Sequence, residues 1–228
     1  MNFIKTSLYS GISTAISLLV RLISNKIVAV YLGTNGIFLL GQLKDFLRLS
    51  NVLSGFGIEN GIIKYTSQFQ ESDEELKKIL STSFKIHLIF SLIFSILILF
   101  FSNIIAEYLS LDFESKYYFL VLSISVISFS IHTLLMSIIN GIKRIKLYVT
   151  INVVSVVISA IIMVALVLKY AVVGALYALI INQIITLIVT CILFYLYKPF
   201  KIGLLFSSFD FNYFKKLSSF SIMAITGP

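Results

Sequence analysis

From Asn25 to Gln70 the chain reads NKIVAVYLGTNGIFLLGQLKDFLRLSNVLSGFGIENGIIKYTSQFQ, and two features of this stretch decide the fold. Apolar runs lie on both sides of the short separator YLGTNG, and each extends outward to the about 20 residues that a helix needs to cross a bilayer. Inside the second run sit Lys44, Asp45, Arg48 and Glu59, charges that a buried core does not keep unpaired and that lipid penalises. A membrane helix with one wet face satisfies both observations.

Working outward, further apolar segments of spanning length recur, so that six are expected: Ser7 to Leu32, Gly36 to Tyr65, Thr82 to Leu109, Tyr117 to Asn140, Leu147 to Leu168 and Val172 to Tyr197. The separators, among them QFQESDEELKK, SLDFES and GIKRIK, are too short to hold an extramembrane domain. The first segment runs on to about Leu32 without a small-residue cleavage site, so it reads as a retained helix rather than a signal peptide. With 58% apolar and only 12% charged residues, a water-soluble fold is excluded. The expected class is all-α, a polytopic transmembrane helix bundle. It divides into a six-helix lobe at 1–197, a basic and amphipathic connector at 198–216, and, at 217–228, the start of a seventh helix too short to span.

The formal charge of +8 does not point to nucleic acid, because the basic residues are spread between hydrophobic runs rather than gathered on one wet face. Cys191 is the only cysteine and lies in an apolar stretch, a small filler residue, so no disulfide, CxxC metal site or other cofactor motif is expected. Counted in alternate loops, ten Lys and Arg from Lys5 to Lys216 fall on the side of the N-terminus, against Lys116 and Lys169 on the other. That bias places the N-terminus and the 198–216 connector in the cytoplasm. In the connector, Phe206, Phe209, Tyr213, Phe214 and Leu217 recur at helical spacing, which predicts a helix lying in the interface plane.

Six cations remain in or at the ends of the spans: Arg21, Lys26, Lys44, Arg48, Lys64 and Lys85. A charge facing lipid at mid-membrane costs about 2.5 to 3.5 kcal/mol on an insertion scale, so those at depth should face a wet or protein-lined interior. Arg21 lies roughly 21 Å in from Ser7, beyond easy snorkelling, whereas Lys26, Lys64 and Lys85 stand nearer the ends, where snorkelling is an adequate account. On the second helix Lys44, Asp45, Arg48 and Glu59 fall on one stripe, with Gln42, Asn51 and Gly55 near it. If the first two helices are antiparallel neighbours, Arg21, Lys26, Lys44 and Arg48 form a net positive chamber suited to a phosphate group. Asp45 either balances Arg48 or, like Glu59, takes up H⁺ or Na⁺. His132 reads as a hydrogen-bonded bundle residue, and Ser123, Ser130, Thr133, Ser137 and Asn140 suggest that the fourth helix also meets the polar interior. The third, fifth and sixth spans are nearly uncharged and are expected to face lipid. Gly55 and Gly57 in SGFG mark either a hinge or a close packing point.

The Lys26 turn before a glycine loop, GFGIENG at Gly55–Gly61, KYTSQF at Lys64–Phe69 and KKLSSFSIMAI at Lys215–Ile225 resemble the Wzx-type polysaccharide flippases, which move O-antigen units and the lipid III of enterobacterial common antigen. The likeness runs across nearly the whole chain. It implies the multidrug/oligosaccharidyl-lipid/polysaccharide exporter fold, two six-helix lobes around a cationic cavity, of which this chain would be the N-terminal one. It implies an undecaprenyl-pyrophosphate-linked oligosaccharide as substrate, the bacterial inner membrane as location, and a polysaccharide polymerase and chain-length proteins as partners. Lys26 and Lys44 fall on basic positions of the family pattern, while Asp45 stands where an uncharged polar residue is expected. Among rival readings, an enzyme of the same pathway lacks outer loops large enough for a catalytic surface. A cation-coupled multidrug exporter of the same superfamily should carry acids where this chain carries cations.

Overall fold

The computed structural model describes residues 3–109 and 116–226, and these are helical almost throughout. Seven α-helices follow one another: α1 (Phe3–Ser54), α2 (Glu59–Gln68), α3 (Asp73–Phe100), α4 (Ser102–Tyr108), α5 (Lys116–Gly141), α6 (Ile145–Tyr197) and α7 (Phe211–Thr226), with a short 3-10 turn at Ile202–Leu205 before α7. Four of them, α1, α3, α5 and α6, are long and apolar enough to cross a membrane.

Two of these four are kinked pairs. Gly33 breaks α1 with φ 64° and ψ −170°, a left-handed position that glycine occupies without steric cost, leaving arms at 3–32 and 34–54. Ala171, at φ 48° and ψ −127°, divides α6 into arms at 145–170 and 172–197. The kinks meet, since a Cβ on Gly36 would lie 3.2 Å from Val172. At the opposite end Tyr9, Ile145 and Tyr197 line one cleft, so both arms of α6 return to the end from which α1 starts. Even the shortest arm, 34–54, spans about 31 Å, the thickness of a bilayer's hydrocarbon core. The four arms with α3 and α5 give the six spans expected from the sequence.

The centre of the bundle is α5. Of its most apolar stretch 56% is buried, against 11% in α1 and 17% in α6. Serine makes this close approach practicable: Ser123, Ser125 and Ser128 are buried, and each hydroxyl donates to a carbonyl of the preceding turn. The expectation that the fourth span meets a polar interior is therefore corrected. Ser123, Ser130 and Ser137 are packed inside the lobe, where small side chains admit neighbouring helices. His132 behaves as expected, bonded at 2.7 Å to Thr190 of α6. The exposed faces of α3 and α6 are apolar, with Ile89, Ile93, Ile96, Ile161, Ile188 and Ile192.

Three boundaries differ from the sequence reading. The second span ends at Ser54 rather than Tyr65, because Phe56 and Gly57 both adopt positive φ and close the helix before α2 begins. The third begins at Asp73, behind three acids of its first turn, and stops at Phe100, with α4 after it. The seventh helix starts at Phe211 rather than 217. Asp210 accepts from the N–H groups of Asn212 and Tyr213 and so caps it, leaving Phe206 and Phe209 outside any single amphipathic helix. Tyr213 and Leu217 are buried against α2 and α3, and the Tyr213 hydroxyl donates to Glu75. Burial, and then the bonded Glu75 carboxylate, push the Tyr213 phenol up from its ordinary value. The chain before α7 is pinned by Ser81 to the Ser208 carbonyl, Lys85 to the Ser207 carbonyl and the Asp210 N–H to Thr82. The SLDFES separator at 110–115 lies outside the described residues.

Candidate functional site: the exposed charged face of α1

On the second arm of α1 the buried positions are Gly36, Leu40, Leu43, Leu47, Ser50 and Ser54, a stripe recurring every three or four residues. These apolar side chains join Val28 of the first arm, Tyr118, Leu122 and Val126 of α5, and Ala175, Leu176 and Ile180 of α6 in one cluster. Burying that stripe fixes the rotation of the arm. Lys44, Asp45 and Arg48 are thereby turned to the other side and stand exposed, as do Arg21 and Lys26 on the first arm.

Depth follows from the shared kink. Counted from Gly33, Arg21 lies about 18 Å down one arm, and Lys44 and Arg48 lie about 16 and 22 Å down the other. Lys26 is nearer the kink, at about 10 Å. The structure thus carries Arg21, Lys44 and Arg48 to one level near the middle of the spans, and Lys26 to a level closer to the kinked end. No contact ion pair joins Asp45 to Arg48: among the described residues the salt bridges are those of Lys78 with Glu74 and Glu75. Near this face Gln42 Oε1 and Asn51 Oδ1 are buried without a hydrogen-bond partner.

Glu59 is not part of the stripe. The break at Phe56 and Gly57 moves it onto α2, half-buried, at the far end of the bundle from the kinks. There Glu59 Oε1 and His87 Cε1 lie 2.6 and 3.3 Å from the place a Cβ on Gly55 would take, so Gly55 is a packing point as well as the edge of a break. His87 itself is fully buried, with Nδ1 2.9 Å from Ser130 Oγ, whose hydroxyl donates to the Ser54 carbonyl at 3.1 Å. The other ring nitrogen, Nε2, is buried without a hydrogen-bond partner. Sequence reasoning missed this node, since a lone histidine in KIHLIF carries no spacing signal. Of the cations assigned to snorkelling, Lys85 bonds the Ser207 carbonyl, and Lys64 lies 5.3 and 5.5 Å from the ring centres of Tyr65 and Phe220. Among the described residues no three His, Cys, Asp or Glu side chains gather as metal ligands.

An exposed group of four cations and one acid, held partly at mid-depth by a membrane helix pair, can attract an anion and bind phosphate oxygens through guanidinium forks. The lipid III flippases of Escherichia coli (strain K12) and Shigella flexneri are each 31% identical over 83 residues, which cover 36% of this chain but only 20% of the flippase. Among solved structures, a MOP-superfamily transporter from Pyrococcus furiosus, noted for the reverse polarity of its binding pocket, aligns with a TM-score of 0.68 at 16% identity. An outward-facing multidrug-resistance MATE family transporter of the same superfamily also gives 0.68, at 15% identity. Each covers 96% or more of this chain, whereas the chain spans about half the length of either transporter, 51% and 52%. These likenesses show that the chain has the fold of about half of each of these structures. A family model described as polysaccharide biosynthesis protein matches residues 39–227, most of the length, and the chain therefore belongs to the polysaccharide biosynthesis protein family.

Proposed function

We propose that this chain forms the N-terminal lobe of a flippase that carries an undecaprenyl-pyrophosphate-linked oligosaccharide from the cytoplasmic to the outer leaflet of a bacterial inner membrane. The observation that carries the reading is the exposure of Arg21, Lys44 and Arg48 at one mid-depth level. In this account Arg21, Lys26, Lys44 and Arg48 hold the pyrophosphate while the polyprenyl tail stays in lipid, and a second lobe closes the cavity and rocks against this one. Residues 1–197 are the lobe, 198–216 a cytoplasmic connector, and 217 onward leads toward the partner lobe. The protein works as a transporter rather than as an enzyme. Asp45 keeps the cluster from excessive positive charge, and Asp45 or Glu59 takes up H⁺ or Na⁺ to drive the cycle. Family membership and the lipid III flippases it resembles support the lipid-linked sugar.

The multidrug-resistance neighbour supports a second reading, a cation-coupled drug exporter. The sign of the charged face, four cations to one acid, favours the anionic cargo instead. Both readings meet one test: full-length protein in liposomes, movement of a polyprenyl-pyrophosphate oligosaccharide to the far leaflet, wild type beside R21A and R48A. The proposal expects a severe loss in both variants with folding and insertion intact. Wild-type flipping by both would remove Arg21 and Arg48 from the binding site, and no flipping by wild type would favour the drug exporter.

A further inference from the structure

At the end of the bundle opposite the kinks, Tyr9, the turn from Lys143 to Lys146, Thr150, Tyr197 and Pro199 enclose a cleft of about 520 Å³. Among the described residues its lining holds three cations, Lys143, Arg144 and Lys146, and no carboxylate. The turn that presents them is built rather than loose. Lys143 stands at φ 60°, a conformation that a residue with a side chain adopts only when its surroundings impose it. Here the Lys143 N–H bonds the Asn140 carbonyl and the Arg144 N–H bonds the Ile139 carbonyl. From the turn after α2, Gln70 donates to the Ile142 carbonyl, and Thr66 of α2 packs so closely on Gly141 that a Cβ there would come within 2.7 Å. The same residues start α6, whose N-cap Arg144 brings no side-chain acceptor, so the positive end of a long helix adds to the field of the cleft.

We infer that this cleft binds the phosphate group of a membrane lipid, at a site separate from the mid-depth cluster on α1. Charge selects an anion, and two further features select one carried by a lipid. Both Tyr9 and Tyr197 are exposed where the helices end, the position of interfacial aromatic residues, with the Lys146 ammonium 5.7 Å from the centre of the Tyr9 ring. The remaining lining is apolar, Ile145, Leu147, Val149 and Pro199, suited to the glycerol and first methylenes behind the phosphate. The volume lies within the about 300 to 1,000 Å³ of small-molecule sites.

Native mass spectrometry of the full-length protein, with added phosphatidylglycerol as the probe, tests the inference. K143Q/R144Q/K146Q should weaken lipid retention by about tenfold or more, the scale of one or two charge-assisted hydrogen bonds. K215Q/K216Q, on a different surface, should stay within about twofold of wild type, a factor worth less than one hydrogen bond. If the triple variant does not fold, the three single Gln variants replace it, each with a partial loss. Retention by the basic-to-Gln variants equal to wild type, or an equal loss in K215Q/K216Q, would overturn the site. Equal retention of phosphate-free diacylglycerol, or full displacement of the lipid by millimolar inorganic phosphate, would overturn its assignment to a lipid phosphate. Because the readout is lipid retention at the 143–146 turn rather than transport through the α1 cluster, failure of this site is distinct from failure of the flippase reading.

Discussion

Arg21 and Arg48 test the account at the smallest scale because they are exposed and make no ion pair among the described residues, so their removal should leave the fold alone. R21A and R48A are each expected to change unfolding stability by no more than about 0.5 kcal/mol, measured by denaturation in detergent, while abolishing most lipid movement. Ser130 should behave in the opposite way. Its hydroxyl joins His87 to the Ser54 carbonyl inside the lobe, and S130A leaves both without that partner, a loss of about 1 to 3 kcal/mol in the same assay. The difference between these residues also marks what could be read in advance. Lys44 and Arg48 were legible because charges four apart in an apolar run define a stripe by arithmetic. The role of His87 was not, because its partner Ser130 lies 43 residues away on α5 and itself bonds Ser54, 76 residues from it at the end of α1, and no local spacing encodes a tertiary hydrogen bond. Glu59 was misplaced for a related reason: an ideal helix carried through Phe56 and Gly57 puts it on the stripe, and the left-handed pair removes it.

At the level of elements, the helices were legible and their ends were not. The alternation of Leu40, Leu43 and Leu47 with exposed Lys44 and Arg48 fixes the face of the second arm from sequence alone. Its stop at Ser54 depends on two consecutive left-handed residues, and SGFG by itself permits either a bend or a close contact. Both occur: Gly57 has φ 62°, and Gly55 is tight against Glu59 and His87. Gly57→Ala should therefore destabilise by about 1 to 2 kcal/mol, and Gly57→Asn by less, since asparagine tolerates the left-handed region better; thermal unfolding in detergent distinguishes them. The start of α7 is set by a cap that hydrophobic periodicity does not report. Asp210→Ala should cost about 1 kcal/mol and raise proteolysis around 206–212, whereas Asp210→Asn, which still caps, should not.

Across the whole molecule, the kinks of α1 and α6 lie at one end of the six spans and the basic turns at the other, and the sign of the charge follows that division. Single cysteines at the 143–146 turn and at Lys169 should therefore be labelled from opposite sides of the membrane, the first from the cytoplasm; labelling of both from one side would reject the topology. The bundle was legible because hydropathy at the scale of about 20 residues counts spans, and the charged stripe of Lys44, Asp45 and Arg48 was legible because a charge facing lipid is costly. In the proposed function a second lobe closes the cavity against these spans, and so the decisive measurement is functional. Transport of a polyprenyl-pyrophosphate oligosaccharide should be compared between Arg48→Glu and Lys215→Glu in full-length protein, two reversals of equal net charge. The account predicts that Arg48→Glu abolishes transport and that Lys215→Glu leaves it near wild type; transport by Arg48→Glu at the wild-type rate would contradict a cationic chamber on α1.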